Sequence, residues 1–89
     1  MLEKSQPRTS ANFQAPVYVA VGVERSLVEI PSAAAAVRFL STWPADQQGL
    51  RYSRVMDSLQ AAMRGTFAAE DARAIFKKFA GDVGILVAH

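Results

Sequence analysis

An α+β fold is predicted, with an N-terminal antiparallel hairpin and a short C-terminal strand packed on one face by three helices. Three observations predict it. Valines alternate with smaller or polar residues between Pro16 and Val21, the period-2 pattern of a half-buried strand. An alanine-rich apolar run from Ser32 stops at Trp43-Pro44, where proline disfavours helical geometry in the residue before it. Two further stretches, Leu50–Arg64 and the segment after Thr66, carry apolar residues at helical spacing.

The first strand is read from Val17, Val19 and Val21 on one face, with Tyr18 and Ala20 on the other. Gly22-Val23-Glu24-Arg25 forms a turn, with Gly22 free to take positive φ. In the second strand Val28 and Ile30 share a face and Glu29 points away. Two strands four residues apart pair as a hairpin. Pro31 cannot donate to a ladder, so the second strand is expected to end there.

Ser32 is the expected N-cap of the first helix, its hydroxyl accepting from a first-turn amide. Ala36, Leu40 and Trp43 recur along its inner face, and the four alanines at 33–36 allow close approach to the sheet. The second helix buries Tyr52, Val55, Met56, Leu59, Ala62 and Met63, and Gly65 is placed to close it in a left-handed conformation. Thr66 is expected to cap the third helix. Glu70 and Asp71 stand near its positive end, and Ala72, Ile75, Phe76 and Phe79 form its apolar stripe. Lys77 and Lys78 then fall in its last turn and Gly81 ends it. Ile85–Ala88 supplies one more short strand, whose sheet edge the sequence leaves open.

Eighty-nine residues make one domain. Residues 1–13 are polar and lack periodicity, so they read as a flexible leader, with residues 14–89 as the folded domain. Apolar residues make up 51% of the chain, enough for a packed core. The absence of cysteine removes disulfides, thiolate metal sites and thiol nucleophiles together. There is neither a signal-peptide pattern nor an apolar run of about 20 residues. A cytoplasmic, soluble protein with no membrane association is expected.

The net charge is +2 and the pI about 9.4. Lys4, Arg8 and Glu3 belong to the leader, which leaves the folded part at about +1. Its basic residues are dispersed among Asp57, Glu70, Asp71 and Asp82, whereas nucleic-acid binding needs a concentrated stripe. Arg51, Arg54 and Arg64 along the second helix are the candidates for a nucleic-acid-binding regulator, which stands as an alternative.

Catalysis needs a nucleophile, a base or a metal held in geometry. The one histidine is His89, read as a frayed terminus, and scattered carboxylates build no metal site. Glu70 and Asp71 are adjacent on a helix and point about 100° apart, so they do not converge on one atom. Gly81-Asp82-Val83-Gly84 follows a helix rather than opening one and reads as a cap and turn, not a phosphate loop. No catalytic residue, no metal and no cofactor is expected, and the chain is read as a non-enzyme.

Arg73 is the most informative single charge. It adjoins the apolar stripe of the third helix, where it either binds a carboxylate or phosphate or forms an ion pair with Glu70 at i−3. Trp43 and Tyr52 flank the polar connection between the first two helices, and a small-ligand sensor using that region is a further alternative. Trp43 is itself read as a core anchor.

The order Pro16-Val17-Tyr18-Val19, Ile30-Pro31-Ser32, Phe39-Leu40, Trp43-Pro44, Tyr52, Ala62-Met63-Arg64-Gly65, Ala72-Arg73, Phe76 and Gly84-Ile85-Leu86-Val87 resembles a family of short bacterial proteins called domain of unknown function 982. The resemblance spans about residues 13–88 and implies no activity. Leu59 stands where it implies a smaller residue, often cysteine, so no thiol-based role carries over.

The leading expectation is a small non-catalytic module that self-associates or docks on a partner protein. Val17–Val21 is uncharged and without proline, so its free edge must be covered by the terminal strand or by a second subunit, and a homodimer is expected.

Overall fold

The computed structural model describes residues 11–44, 46 and 48–87. Positions 1–10 of the expected leader, together with Ala88 and His89, lie outside these residues. The element order is β1 (Asn12–Val21), β2 (Ser26–Ser32), α1 (Ala33–Leu40), α2 (Leu50–Arg64) and α3 (Ala69–Asp82). The arrangement is α+β, a two-stranded antiparallel hairpin with three helices.

β1 begins earlier than its alternation implies. Asn12 and Phe13, assigned above to the leader, open the strand, and Phe13 is only 8% exposed. Burying its ring gives these residues a reason to be ordered that a polar count of the leader misses. Val17, Val19 and Val21 pair with Ile30, Val28 and Ser26. Beyond Val17 the register shifts, with Asn12 opposite Ser32, so Phe13–Pro16 of β1 face only Pro31 across the ladder. Pro31 therefore lies inside β2 rather than ending it. It is tolerated because it sits at this bulge on a strand that, among the described residues, is paired on one side, where its missing N–H costs no ladder bond. Gly22 and Arg25 supply the positive φ values of the turn, and the Arg25 amide closes it by donating to the Gly22 carbonyl at 3.1 Å.

Ser32 caps α1 as expected, its hydroxyl accepting from the Ala35 amide at 3.1 Å. Ala33, Ala36 and Leu40 are fully buried, so the alanines do mark close packing. The helix ends at Leu40, three residues before Trp43, and the Thr42 and Trp43 amides continue with tighter bonds to the Phe39 and Leu40 carbonyls. α2 has the bounds read from sequence, buries Val55, Leu59 and Ala62, and is closed by Gly65 at φ +83°.

Two signals around α3 mislead. Ala68, not Thr66, is the N-cap, because the Thr66 hydroxyl is engaged with the Ala61 carbonyl of the preceding helix at 3.1 Å. Gly81 lies within α3, which runs to Asp82, and Gly84 is the residue that takes left-handed geometry. Lys77 and Lys78 are consequently outside the last turn.

α3 packs on β1 and α1 on β2, while α2 packs against α1 and α3. The core runs from Phe13, Val17, Val19 and Ile30 through Ala36 and Leu40 to Leu59, Phe76 and Phe79. After Gly84 the chain returns along β1. The Ala20 amide donates to Ile85 O at 2.8 Å, the Val87 amide donates to Tyr18 O at 3.0 Å, and Leu86 bridges Val19. Among the described residues the segment makes this one bridge, so the short C-terminal strand expected from sequence is not shown there. The segment nonetheless covers the β1 edge that sequence left to it or to a second subunit.

Candidate functional site

The bulge in β1 creates the first candidate site. Strand residues that leave a ladder need other partners for their amides and carbonyls, and α3 provides them. Glu70 Oε2 accepts from the Gln14 amide at 2.7 Å, and Arg73 Nε donates to Ala15 O at 2.7 Å. The ion pair between Glu70 and Arg73 expected from their i−3 spacing is not formed. Both side chains bond instead to the same piece of β1 backbone.

Arg73 stands at a cleft of about 400 Å³ between β1, α3 and the returning C-terminal segment. Ala15–Tyr18 form one wall, Leu86 and Val87 another, and Arg73 with Lys77 the third. Arg73 and Lys77 are one helical turn apart and therefore share a face. Among the described residues neither is in an ion pair, whereas Lys78 and Arg51 both approach Asp82, at 3.6 and 3.8 Å. Lys77, expected from sequence to complement the helix dipole, lines this cleft. Its i+4 spacing from Arg73 was the signal that it belongs to this cleft.

Among the described residues, Trp43 and Tyr52 have separate surroundings. The Trp43 ring packs against Phe39 and Phe79, with centroids 6.0 and 5.6 Å away, and is half-buried at the margin of the core. It is therefore a packing residue, although not one fully enclosed. The Tyr52 hydroxyl donates to Leu40 O at 3.0 Å, satisfying a carbonyl at the end of α1. Tyr52 also lines an open groove of about 530 Å³ with Gly49–Arg51, Arg54, Phe79 and Val83.

Arg51 and Arg54 border that groove, but Arg64 lies at the other end of α2, roughly 15–20 Å along the axis. Asp57 intervenes on the helix, and Asp82 stands beside Arg51. The three arginines named for nucleic-acid contact do not form one stripe.

A third surface was not singled out from sequence. β2 and α1 flank an open groove lined by Val28, Ile30, Ala35 and Phe39, with Glu29 and Arg38 at its margins. It borders the side of β2 away from β1.

Among the described residues, no group of three or more His, Cys, Asp or Glu side chains is placed to hold a metal ion, and no helix is long and apolar enough to cross a membrane. Neither a curated protein nor a solved structure matches the chain significantly. A family model described as protein of unknown function (DUF982) matches residues 15–87, which span β1 from the bulge through the segment that returns along it. The chain belongs to that family.

Proposed function

We propose that this protein is a small, non-catalytic, cytoplasmic interaction module that receives another protein, or a second copy of itself, along the outer edge of β2. One observation carries the reading: an edge of β2 that no other described residue covers, beside an apolar groove. Tyr18 and Ala20 turn their backbone groups toward the C-terminal segment, so Val17, Val19 and Val21 turn theirs toward β2. Their partners Ile30, Val28 and Ser26 are thereby engaged. The alternation leaves the amides and carbonyls of Leu27 and Glu29 directed outward, with the Pro31 carbonyl beyond them.

Leu27 is 63% exposed, and Val28, Ala35 and Phe39 line the adjoining groove. An extended segment added to this edge would take main-chain hydrogen bonds from β2 and side-chain contact from α1, the mode of strand addition. Glu29 and Pro31 limit indiscriminate pairing along the same edge. The non-catalytic part of the reading rests on the chemistry available, since no nucleophile–base pair is assembled among the described residues of the three surfaces.

Amide exchange tests it. In the dilute, purified chain the Leu27 and Glu29 amides should exchange fast. They should slow when the chain is concentrated or when cell extract is added, and Leu27→Lys should abolish the slowing. Fast exchange of both amides under all conditions, with a monomer by sedimentation, would overturn the proposal.

A further inference from the structure

We infer that the cleft between the β1 bulge, α3 and the 85–87 segment is a binding site for a small organic carboxylate with an apolar body. It lies across β1 from the open edge of β2, so it is independent of the interaction surface.

The first support is the state of Arg73. Its Nε is committed to Ala15 O at 2.7 Å, a carbonyl that the bulge has released from the ladder. That bond fixes the guanidinium at the wall of the cleft, and among the described residues its Nη donors are unengaged. A planar guanidinium held in this way is suited to two parallel hydrogen bonds with a carboxylate. Little side-chain freedom remains to be lost on binding.

The second support is charge. Lys77 stands one turn from Arg73 on the same face of α3, and like charges at this spacing disfavour the helix. Neither has a carboxylate in ion-pair range among the described residues, although Glu70 and Asp71 are on the same helix. Glu70 is held by the Gln14 amide. An anion in the cleft would relieve the repulsion and be met by both cations. In the Tyr52 groove, by contrast, Arg51 already has Asp82 nearby.

The third support is the character of the remaining walls. Pro16, Val17, Leu86 and Val87 are apolar, and the volume of about 400 Å³ falls within the usual range for small-molecule sites. A bare inorganic anion would leave these walls unused. A ligand with a carboxylate at one end and a hydrocarbon body at the other uses both.

Octanoate is the probe, titrated into the full-length isotope-labelled chain and followed by amide and Arg73 Nε–H resonances. Saturable shifts at Val17, Tyr18, Leu86, Val87 and Arg73 are expected at millimolar concentrations or below. Arg73→Gln should weaken binding roughly ten- to a hundredfold, the loss of a charge-assisted contact. Because Arg73→Gln also removes a tie to β1, Lys77→Glu is the second variant. Among the described residues its side chain has no bond to lose, and reversing its charge should weaken octanoate at least as much as phosphate while leaving the circular dichroism spectrum unchanged. Three results would each overturn the inference: no saturable shift, unchanged affinity in folded Lys77→Glu, or inorganic phosphate or octan-1-ol binding as tightly as octanoate.

Discussion

Phe76→Ala is the sharpest test of the packing. Phe76 is fully buried on α3, and its ring meets that of Phe39 edge-on, with centroids 6.3 Å apart and planes at 88°. Truncating a buried phenylalanine costs about 3–5 kcal/mol. The edge-to-face contact contributes about 0.5–1.5 kcal/mol beyond area burial, which places this site in the upper half of that range. A domain of this length has about 4–13 kcal/mol of stability, so the substitution removes a third of it or all of it. At about 4–8 °C per kcal/mol, the melting temperature should fall by roughly 16–40 °C. Urea unfolding followed by far-ultraviolet circular dichroism measures the loss at constant temperature. Phe76→Leu, which keeps most of the volume, should cost less and remain measurable if the alanine variant does not fold. A loss below about 1 kcal/mol for Phe76→Ala would refute the placement of this ring at the junction of α1 and α3.

Two further stability measurements follow from the same structure. Trp43→Ala should cost about 1.5–3 kcal/mol, less than Phe76→Ala, because the indole is half-buried at the margin rather than enclosed; urea unfolding of the two variants side by side gives the order. Gly65→Ala should cost about 1–2 kcal/mol, seen as a lowered urea midpoint with an unchanged slope, since an added Cβ meets nothing within 4 Å and only the φ of +83° opposes it.

Local signals were legible where one physical effect acted alone. The apolar stripe of α2 and the glycine after it agree on both ends of that helix, and Ser32 had no competitor for the Ala35 amide. The failures have a common form: a distant group changed the outcome. Thr66 looks like a cap until the Ala61 carbonyl takes its hydroxyl. Phe13 looks like part of a polar leader until the core supplies a place for its ring. Pro31 looks like a strand terminator until the bulge opposite it appears. Arg73 was legible as a residue of interest, but Ala15, its partner, lies 58 residues away and carries no side-chain signal. The open edge of β2 was hidden for the same reason, because which strand the C-terminal segment joins is a matter of topology, not composition.

The return of the chain along β1 also sets a schedule for folding. β1 and β2 can pair as soon as both have been made, but among the described residues the other side of β1 is closed by Ile85–Val87, roughly 67 residues later. At about 5–20 residues per second, the uncharged stretch Val17–Val21 waits some 3–13 s on the ribosome with one side unprotected. The interval is long compared with hairpin formation, which takes microseconds. During synthesis the half-finished sheet is thus a sticky intermediate, and premature termination anywhere after β2 would leave that stickiness permanent. A translational pause late in the message would lengthen the exposure without changing a single residue of the product.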